Sequence, residues 1–270
     1  MAASFALDGR VVIVTGGLGQ LGASFANALL DAGAKVAILD MSEDRSRAKI
    51  PLREAGEDRL RLYAGDVTDK ASLKDVLARI EAAWGAPHGL INNAAIDAPP
   101  DAAASENGPF EDYPESSLDR MLDVNVKGVV QCCQVFGGAM ARAGRGSIVN
   151  ISSIYGVLSP DQSLYQYRRD RGEDFYKPVG YSVTKSALMN LTRYLAVYWG
   201  KAGVRVNTLT FAGVFANQEA AFLEPYVRKV PLGRMADPAD YDGPVVFLMS
   251  DAARYMTGAN VVVDGGFTAM

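Results

Sequence analysis

Histidine and cysteine are almost absent from this chain. Its 270 residues include one histidine, His88, and two cysteines, Cys132 and Cys133. A single histidine excludes a histidine-rich metal site, and no metal is predicted. A Ser–His–Asp triad would depend on His88 alone, which lies in a glycine-bounded segment and is predicted to be a turn residue. Adjacent cysteines on a helix point in different directions, so we expect unpaired thiols in a reducing compartment and a cytoplasmic protein.

Long apolar runs and an excess of one charge are also missing. No stretch of 18 apolar residues is present, so no transmembrane helix is predicted. Residues Met1 to Asp8 lack the basic and apolar regions of a signal peptide. The 27 basic and 31 acidic residues give a net charge of −4, which argues against a nucleic-acid binder. The hydrophobic fraction of 49% is typical of a globular protein that needs no disulfides.

Short β-branched runs alternate with helical patterns along the chain. Most of these runs are apolar throughout, which is typical of strands covered by helices on both faces. The predicted strands are Arg10–Val14, Lys35–Leu39, Leu60–Ala64, Gly89–Ile91, Ser147–Ile151, Arg205–Leu209 and Asn260–Val263. The predicted helices are Gln20–Ala32, Asp69–Trp84, Pro114–Ala141, Val179–Gly200 and Pro238–Ser250. This order predicts one doubly wound α/β domain over residues 1–270, with a parallel sheet of about seven strands and helices on both faces.

Two segments fit neither pattern. Ala98–Glu111 is rich in proline, alanine and aspartate and is predicted to be a surface loop. Leu158–Pro178 is polar and aromatic, with a cluster of arginines. Long irregular segments inside a domain are usually lids or binding loops, so the second segment is a candidate for substrate contact.

A glycine-rich turn joins the first predicted strand to the first predicted helix. Gly17, Gly19 and Gly22 form the pattern G-x-G-x-x-G at this junction. The glycines let the backbone approach a pyrophosphate, and the helix N-terminus offers it free N–H groups. Asp40 follows the next strand, where a carboxylate binds ribose hydroxyls and repels a 2′-phosphate. Together these features predict NAD as the cofactor, in preference to NADP.

A tyrosine and a lysine, Tyr181 and Lys185, lie four residues apart in a predicted helix. At this spacing both side chains lie on one helix face. A nearby ammonium group lowers the pKa of a phenol from about 10, so the tyrosine can exchange a proton with a hydroxyl or carbonyl group. A nicotinamide would exchange the hydride. The pair is weak evidence when it stands alone.

Seven short motifs follow one another over nearly the whole chain. They are Thr15-Gly16…Gly22, Asp66-Val67, Asn92-Asn93-Ala94-Ala95, Asn125, Ser152-Ser153, Tyr181…Lys185 and Val263-Asp264-Gly265-Gly266. In residues and in order, this set resembles the short-chain dehydrogenase/reductase family of Rossmann-fold oxidoreductases. The resemblance implies a single nicotinamide-binding domain with its active site at the carboxyl ends of the strands.

The resemblance also implies a catalytic set and a cofactor site. The catalytic residues would be Asn125, Ser153, Tyr181 and Lys185. The resemblance implies that the serine orients the substrate oxygen and that the tyrosine is the general acid/base. The lysine would hold the nicotinamide ribose and lower the tyrosine pKa, and the asparagine would anchor a water that relays protons. The cofactor would contact Gly16, Gly17, Gly19, Gln20, Leu21, Asp40, Asp66, Val67, Asn93, Ala94, Ala95, Tyr181, Lys185 and Val214.

The chain departs from the family's pattern in three places. Gln20 replaces a common glycine, which gives a spacing similar to that of the sugar-nucleotide epimerases and dehydratases. Phe211-Ala212 replaces the usual Pro-Gly, so the family pattern does not predict the shape of the site beside the nicotinamide carboxamide. The 27 residues between Ser153 and Tyr181 form a longer segment than is usual in the family.

Most of this extra length falls within the insertion Leu158–Pro178, beside the expected substrate cleft. Its arginines, Arg168, Arg169 and Arg171, would suit a carboxylate, sulfonate or phosphate on the substrate. A solvated loop or a contact between subunits is the alternative role for the same segment.

The leading functional prediction is an NAD-dependent oxidoreductase that interconverts a secondary alcohol and a ketone. The substrate would be small and polar, such as a sugar, sugar acid or polyol, with no nucleic-acid or membrane partner. An NAD-using epimerase or dehydratase and a non-catalytic NAD-binding protein are the alternatives. The family commonly forms dimers or tetramers, and Pro114–Ala141 and Val179–Gly200 carry apolar positions beyond what one sheet face covers, so a homotetramer is predicted.

Overall fold

Seven parallel strands form the centre of the computed structural model, which describes residues 4–98 and 107–270. The strands are β1 (Val11–Thr15), β2 (Lys35–Asp40), β3 (Leu60–Ala64), β4 (Gly89–Asn92), β5 (Gly146–Ser153), β6 (Val204–Phe211) and β7 (Asn260–Val263). They lie in the order β3-β2-β1-β4-β5-β6-β7. This confirms the predicted doubly wound α/β fold. After β1 the chain adds β2 and β3 on one side of it, and then adds β4 to β7 on the other side. This change of direction between β1 and β4 leaves a crevice at their carboxyl ends.

Helices cover both faces of this sheet. They are α1 (Gln20–Asp31), α2 (Lys70–Trp84), α3 (Glu115–Leu122), α4 (Val129–Cys132), α5 (Gly138–Arg142), α6 (Gln166–Arg169), α7 (Val179–Trp199), α8 (Ala220–Val227) and α9 (Asp242–Met249). Successive residues of a strand point to opposite faces, so Val12 and Val14 of β1 pack with α1 and α9. Val11 and Ile13 pack instead with α2, α4, α5 and α7. None of the helices in the described residues is long and apolar enough to cross a membrane.

Strands β5 and β6 are longer than the apolar runs that predicted them. β5 continues through Ser152 and Ser153 because these residues pair with Thr210 and Phe211 of β6. Buried polar side chains are tolerated in this part of the sheet because they bond to one another. Asn150 accepts a hydrogen bond of 2.8 Å from the side chain of Asn92 and donates one of 2.9 Å to Thr192 in α7.

The predicted helix Pro114–Ala141 is a chain of shorter segments. Two π-helical stretches, Asp123–Gly128 and Cys133–Gly137, separate α3, α4 and α5. A π-helical turn is often found at functional sites, and the first stretch contains Asn125. Both cysteines of this region are buried and unpaired. The predicted helix at Pro238 likewise begins as a 3-10 turn and becomes α-helical only at Asp242.

The insertion Leu158–Pro178 is more ordered than a loop. It contains the 3-10 turn Gln162–Tyr165 and helix α6, and it packs on α8, which no sequence pattern predicted. The rings of Tyr165 and Phe222 lie 5.6 Å apart in a third apolar cluster. Residues 99–106 of the other predicted loop, Ala98–Glu111, lie outside the described residues.

The glycine-rich turn leaves no room for a side chain at Gly22. A Cβ atom there would overlap the carbonyl oxygen of Gly16 and lie 2.7 Å from the Cα of Gly17. Gly22→Ala is therefore expected to lower the free energy of unfolding by about 1–3 kcal/mol, as overpacking does. Denaturant titration measures this loss. Gly243→Ala in α9 is the control, because its Cβ would meet nothing within 4 Å. Equal stability of Gly22→Ala and the wild type would contradict the packing argument.

Candidate active site

Two adjoining cavities open at the carboxyl ends of the strands. The larger, of about 760 Å³, lies beside the glycine turn, β2 and β4 and is called the cofactor cleft below. The smaller, of about 270 Å³, lies between β5, α7 and the insertion and is called the substrate cavity. Leu21, Asn93, Ala95 and Val214 line both, so a ligand in one touches the walls of the other.

Most of the predicted cofactor residues line the cofactor cleft. They are Gly16, Gly19, Gln20, Leu21, Asp40, Asp66, Val67, Asn93, Ala94, Ala95 and Val214. Gly17 lies behind the turn instead, where a Cβ would come within 2.7 Å of Ile38. Tyr181 and Lys185 line the substrate cavity. The structure therefore brings the predicted set together around the two cavities.

The cleft has further lining residues that sequence reasoning missed. They are Leu18, Leu39, Met41, Arg47, Lys49, Gly65, Thr68, Ile96 and Val124. Several of them are next to a motif residue in the sequence, and this closeness could have predicted that they line the cleft. Arg47 and Lys49 carry no such signal, because they reach the cleft from the irregular segment that follows β2.

The glycine turn is fixed by the segment after β4. The Asn93 side chain donates hydrogen bonds of 3.0 and 3.1 Å to the carbonyl oxygens of Thr15 and Gly16. Gly16 has a φ of +61°, which favours glycine. No side chain caps α1, whose N-cap is Gly19, so its first N–H groups have no side-chain acceptor. This turn fits the diphosphate of a dinucleotide, which such N–H groups bind.

Asp40 is held at the edge of the cofactor cleft by backbone donors. Its Oδ2 accepts a hydrogen bond of 2.9 Å from the N–H of Leu18, and its Oδ1 accepts one of 2.8 Å from the N–H of Met41. The carboxylate is thus fixed where the ribose of a dinucleotide is expected. The basic residues Arg47 and Lys49 line the same cleft.

Ser153, Tyr181 and Lys185 converge on the substrate cavity. Ser153 stands at the end of β5, and the other two lie on one face of α7. The Ser153 hydroxyl is close enough to the Tyr181 phenol to lower its pKa. It also accepts a hydrogen bond of 3.2 Å from the N–H of Tyr155, so this serine has a capping role as well. The Lys185 Nζ donates a 3.0 Å hydrogen bond to the carbonyl oxygen of Ile151 and lies 5.8 Å from the centre of the Tyr181 ring.

The environment of this cavity opposes charge on both Tyr181 and Lys185. Burial raises the pKa of the Tyr181 phenol, the carboxylate of Asp97 raises it further, and the nearby Ser153 hydroxyl lowers it. Burial lowers the pKa of Lys185 to about 8, against the opposing effect of Asp97. A protonated phenol is therefore favoured, which is the form that donates a proton to a carbonyl oxygen.

Asn125 joins the segment after β4 to α7. Its side chain accepts a 2.8 Å hydrogen bond from the N–H of Ile96 and donates one of 2.9 Å to the Ile96 carbonyl oxygen. Its amide also lies 3.2 Å from the hydroxyl of Thr184, the residue before Lys185. The predicted water relay through Asn125 stays a prediction.

The three arginines of the insertion bond within it or to its neighbour. Arg168 pairs with Glu173, and Arg171 lies 3.0 Å from Glu219. Arg169 donates to the carbonyl oxygens of Phe175 and Gln162 at 2.9 and 2.7 Å. None of the three is among the described residues that line the substrate cavity. The geometry therefore favours a role in holding the insertion together.

The insertion reaches the substrate cavity through Tyr165 and Lys177 instead. Lys177 is buried and lies 2.6 and 2.7 Å from the carboxylate oxygens of Asp97. Neither partner was singled out in the sequence, because each lies next to a motif without belonging to one. No group of three or more His, Cys, Asp or Glu side chains in the described residues could hold a metal ion.

Gln20 and Phe211, which stand where the family usually has other residues, both make contacts with distant parts of the chain. Gln20 donates a 2.9 Å hydrogen bond to the carbonyl oxygen of Phe215 and so links the glycine turn to the segment after β6. The ring of Phe211 stacks on Tyr241 with 4.0 Å between centroids. Ala212 and Gly213 follow it along the wall of the substrate cavity.

Comparison with known proteins agrees with this geometry. A family model described as "Enoyl-(Acyl carrier protein) reductase" matches residues 19–268. Galactitol 2-dehydrogenase of Rhizobium johnstonii is 36% identical and aligns over 98% of this chain and 97% of that protein.

Two solved structures share the fold over nearly their whole length. One is a short chain dehydrogenase from Leptospira borgpetersenii with bound NAD+, with a TM-score of 0.84, 32% identity, and coverage of 98% of this chain and 95% of that chain. The other is a gluconate 5-dehydrogenase from Burkholderia cenocepacia J2315 in complex with NADP and tartrate, with a TM-score of 0.84, 26% identity, and coverage of 99% and 98%. With the ordered motifs and the converging Ser153, Tyr181 and Lys185, these likenesses show that the chain is an oxidoreductase of the short-chain dehydrogenase/reductase family.

Proposed function

We propose that this protein is an NAD-dependent dehydrogenase that interconverts a secondary alcohol and a ketone on a small sugar-derived substrate. The observation that carries the proposal is the meeting of Ser153, Tyr181 and Lys185 in a cavity of about 270 Å³ that shares its wall with the cofactor cleft. A cavity of this size suits a small molecule. The similar proteins named for galactitol and gluconate support a sugar-derived substrate.

The proposed chemistry divides between cofactor and chain. The cofactor cleft would hold a nicotinamide dinucleotide, which would supply hydride exchange at the carbon that bears the reacting oxygen. Ser153 orients the substrate oxygen through its hydroxyl. Tyr181 donates a proton to the ketone oxygen in reduction and accepts it from the hydroxyl in oxidation. Lys185 holds the cofactor ribose and, when charged, favours the phenolate.

Tyr181→Phe tests the acid/base assignment, because it removes only the hydroxyl. Turnover is expected to fall about 10²–10⁴-fold, the usual contribution of general acid/base catalysis, while NADH affinity persists. Steady-state rates and NADH fluorescence measure the two quantities. Tyr63→Phe is the matched control, since this buried tyrosine of β3 lines neither the cofactor cleft nor the substrate cavity. Full turnover in Tyr181→Phe would place the acid/base elsewhere.

The preference for NAD over NADP is proposed on Asp40. Arg47 and Lys49 line the same cleft and would suit a 2′-phosphate, so the carboxylate decides between the two cofactors. The Leptospira structure has NAD+ and the Burkholderia structure NADP, so both cofactors occur among similar proteins.

Asp40→Ala removes the repulsion between the carboxylate and the 2′-phosphate of NADP. The ratio of kcat/KM for NAD to kcat/KM for NADP is therefore expected to fall about tenfold or more, which corresponds to a repulsion of about 1.4 kcal/mol. Asp75→Ala, on the exposed side of α2, is the control. Equal use of the two cofactors by the wild type would refute the assignment.

We further propose a homotetramer in the cytoplasm. Exposed apolar side chains on α7 and in the segments around β7 support two different interfaces, which a tetramer of two-fold symmetry requires. On α7, Tyr194, Val197 and Tyr198 are 62%, 85% and 67% exposed. Near the edge strand β7, Leu232 bonds to Gly265 and is 70% exposed, and Tyr255, five residues before β7, is fully exposed. The two buried free cysteines suit a reducing compartment.

Sedimentation velocity tests the assembly at micromolar concentration. The wild type is expected to sediment as a tetramer, and Val197→Asp and Leu232→Asp each as a dimer, because each places a charge in one interface only. Lys74→Glu on α2 is the control for a change of surface charge. A monomeric wild type would contradict the proposal.

A further inference from the structure

A buried ion pair lies in the substrate cavity beside the tyrosine of the active site. Lys177, which is 6% exposed, is the next-to-last residue of the insertion, and Asp97 follows β4. The ammonium contacts both Asp97 carboxylate oxygens and donates a 3.0 Å hydrogen bond to the carbonyl oxygen of Ala98. It also lies 4.4 Å from the centre of the Tyr181 ring. The pair is therefore built into the wall that a substrate would touch.

The positive charges of this cavity already have partners. Among the described residues that line it, the charged side chains are Asp97, Lys177 and Lys185. An ammonium has three donor hydrogens, and the Lys177 group meets three oxygen atoms. Lys185 donates to Ile151 and is assigned to the cofactor. An anionic substrate would thus find a carboxylate in this wall and no uncommitted cation among these side chains.

Asp97 retains capacity to accept a hydrogen bond. Its two oxygens accept from Lys177 and, at 2.7 Å, from the N–H of Ala98. An ionised carboxylate has about four acceptor positions, so at least one remains. Its side chain is 37% exposed and lines the cavity, whereas Lys177 is covered. A neutral hydroxyl group is the donor that suits such an acceptor.

We infer that Asp97 accepts a hydrogen bond from a second hydroxyl of the substrate and that Lys177 is the positioning residue that holds Asp97. The pair selects neutral polyhydroxyl substrates over sugar acids and over alcohols with a single hydroxyl. This inference rests on the proposed dehydrogenase function and names its substrate class as polyols. It also assigns to Asp97 the contact with substrate that the sequence had suggested for the arginines.

The test compares three substrates with NAD: galactitol, cyclohexanol as an alcohol with one hydroxyl, and gluconate as an acid. The main variant is Asp97→Leu/Lys177→Met, because replacing a buried ion pair by apolar side chains of similar size usually preserves folding. Asp97→Asn, which keeps the shape and removes the charge, is the second variant. Asp161→Asn/Lys229→Met is the matched control, since that 2.7 Å pair lies outside the cavity. Thermal unfolding and NADH fluorescence confirm that each variant folds and binds the cofactor.

In the wild type we expect galactitol to be preferred over both other substrates. In the double variant, the kcat/KM for galactitol relative to that for cyclohexanol is expected to fall about 10- to 100-fold, as loss of a hydrogen bond to a charged group does. The loss should appear mainly in KM, because the second hydroxyl does not react. Asp97→Asn should lose part of this preference, and the control variant none.

Two results would overturn the inference and leave the proposed function standing. One is an equal loss on galactitol and cyclohexanol, which would show that the pair acts on Tyr181 and not on the second hydroxyl. The other is an unchanged preference in the double variant. A wild type that forms NADH from none of the alcohols would instead refute the proposed function, and the inference with it.

Discussion

The packing of α7 against β5 is the interaction on which the active site depends. Ser152 donates a 2.8 Å hydrogen bond to the backbone carbonyl of Lys185, and Lys185 donates one of 3.0 Å to the carbonyl of Ile151. These bonds fix the helix against the end of the strand in one register. Because Tyr181 lies one turn before Lys185, the same register brings its phenol to the hydroxyl of Ser153. The three groups proposed as catalytic thus come from two elements and are positioned by one interface.

A second contact gives the cofactor cleft its shape. Asn93 fixes the glycine turn, and Asn125 fixes the segment after Asn93, so the ends of β1 and β4 are tied to each other and to the helix chain that contains Asn125. The connections that follow β1 and β4 leave the sheet in opposite directions, and the side-chain amides join the segments that follow the two strands. The opening between them is therefore a defined cleft in which backbone donors face a ligand.

The insertion adds a wall to a site that the rest of the fold already forms. Its aromatic side chains pack on α8, and its arginines bond within the insertion and to Glu219. This internal bonding gives a long segment a definite structure without a sheet of its own. Lys177 lies near the end of the segment, four residues before Tyr181, so a change in the insertion acts on the substrate cavity directly.

The sequence determined the order of strands and helices, the glycine turn, Asp40 and the spacing of Tyr181 and Lys185, because each depends on neighbours close in the chain. Local patterns could not give the full length of β5, whose last residues are polar and are held in the sheet by pairing with β6. They also missed α8, which is short and contains Pro225. The partners of the arginines and the meeting of Asp97 with Lys177 were decided only by the tertiary structure. Those two residues are 80 positions apart, and only the closing of the insertion over the end of β4 brings their charges into contact.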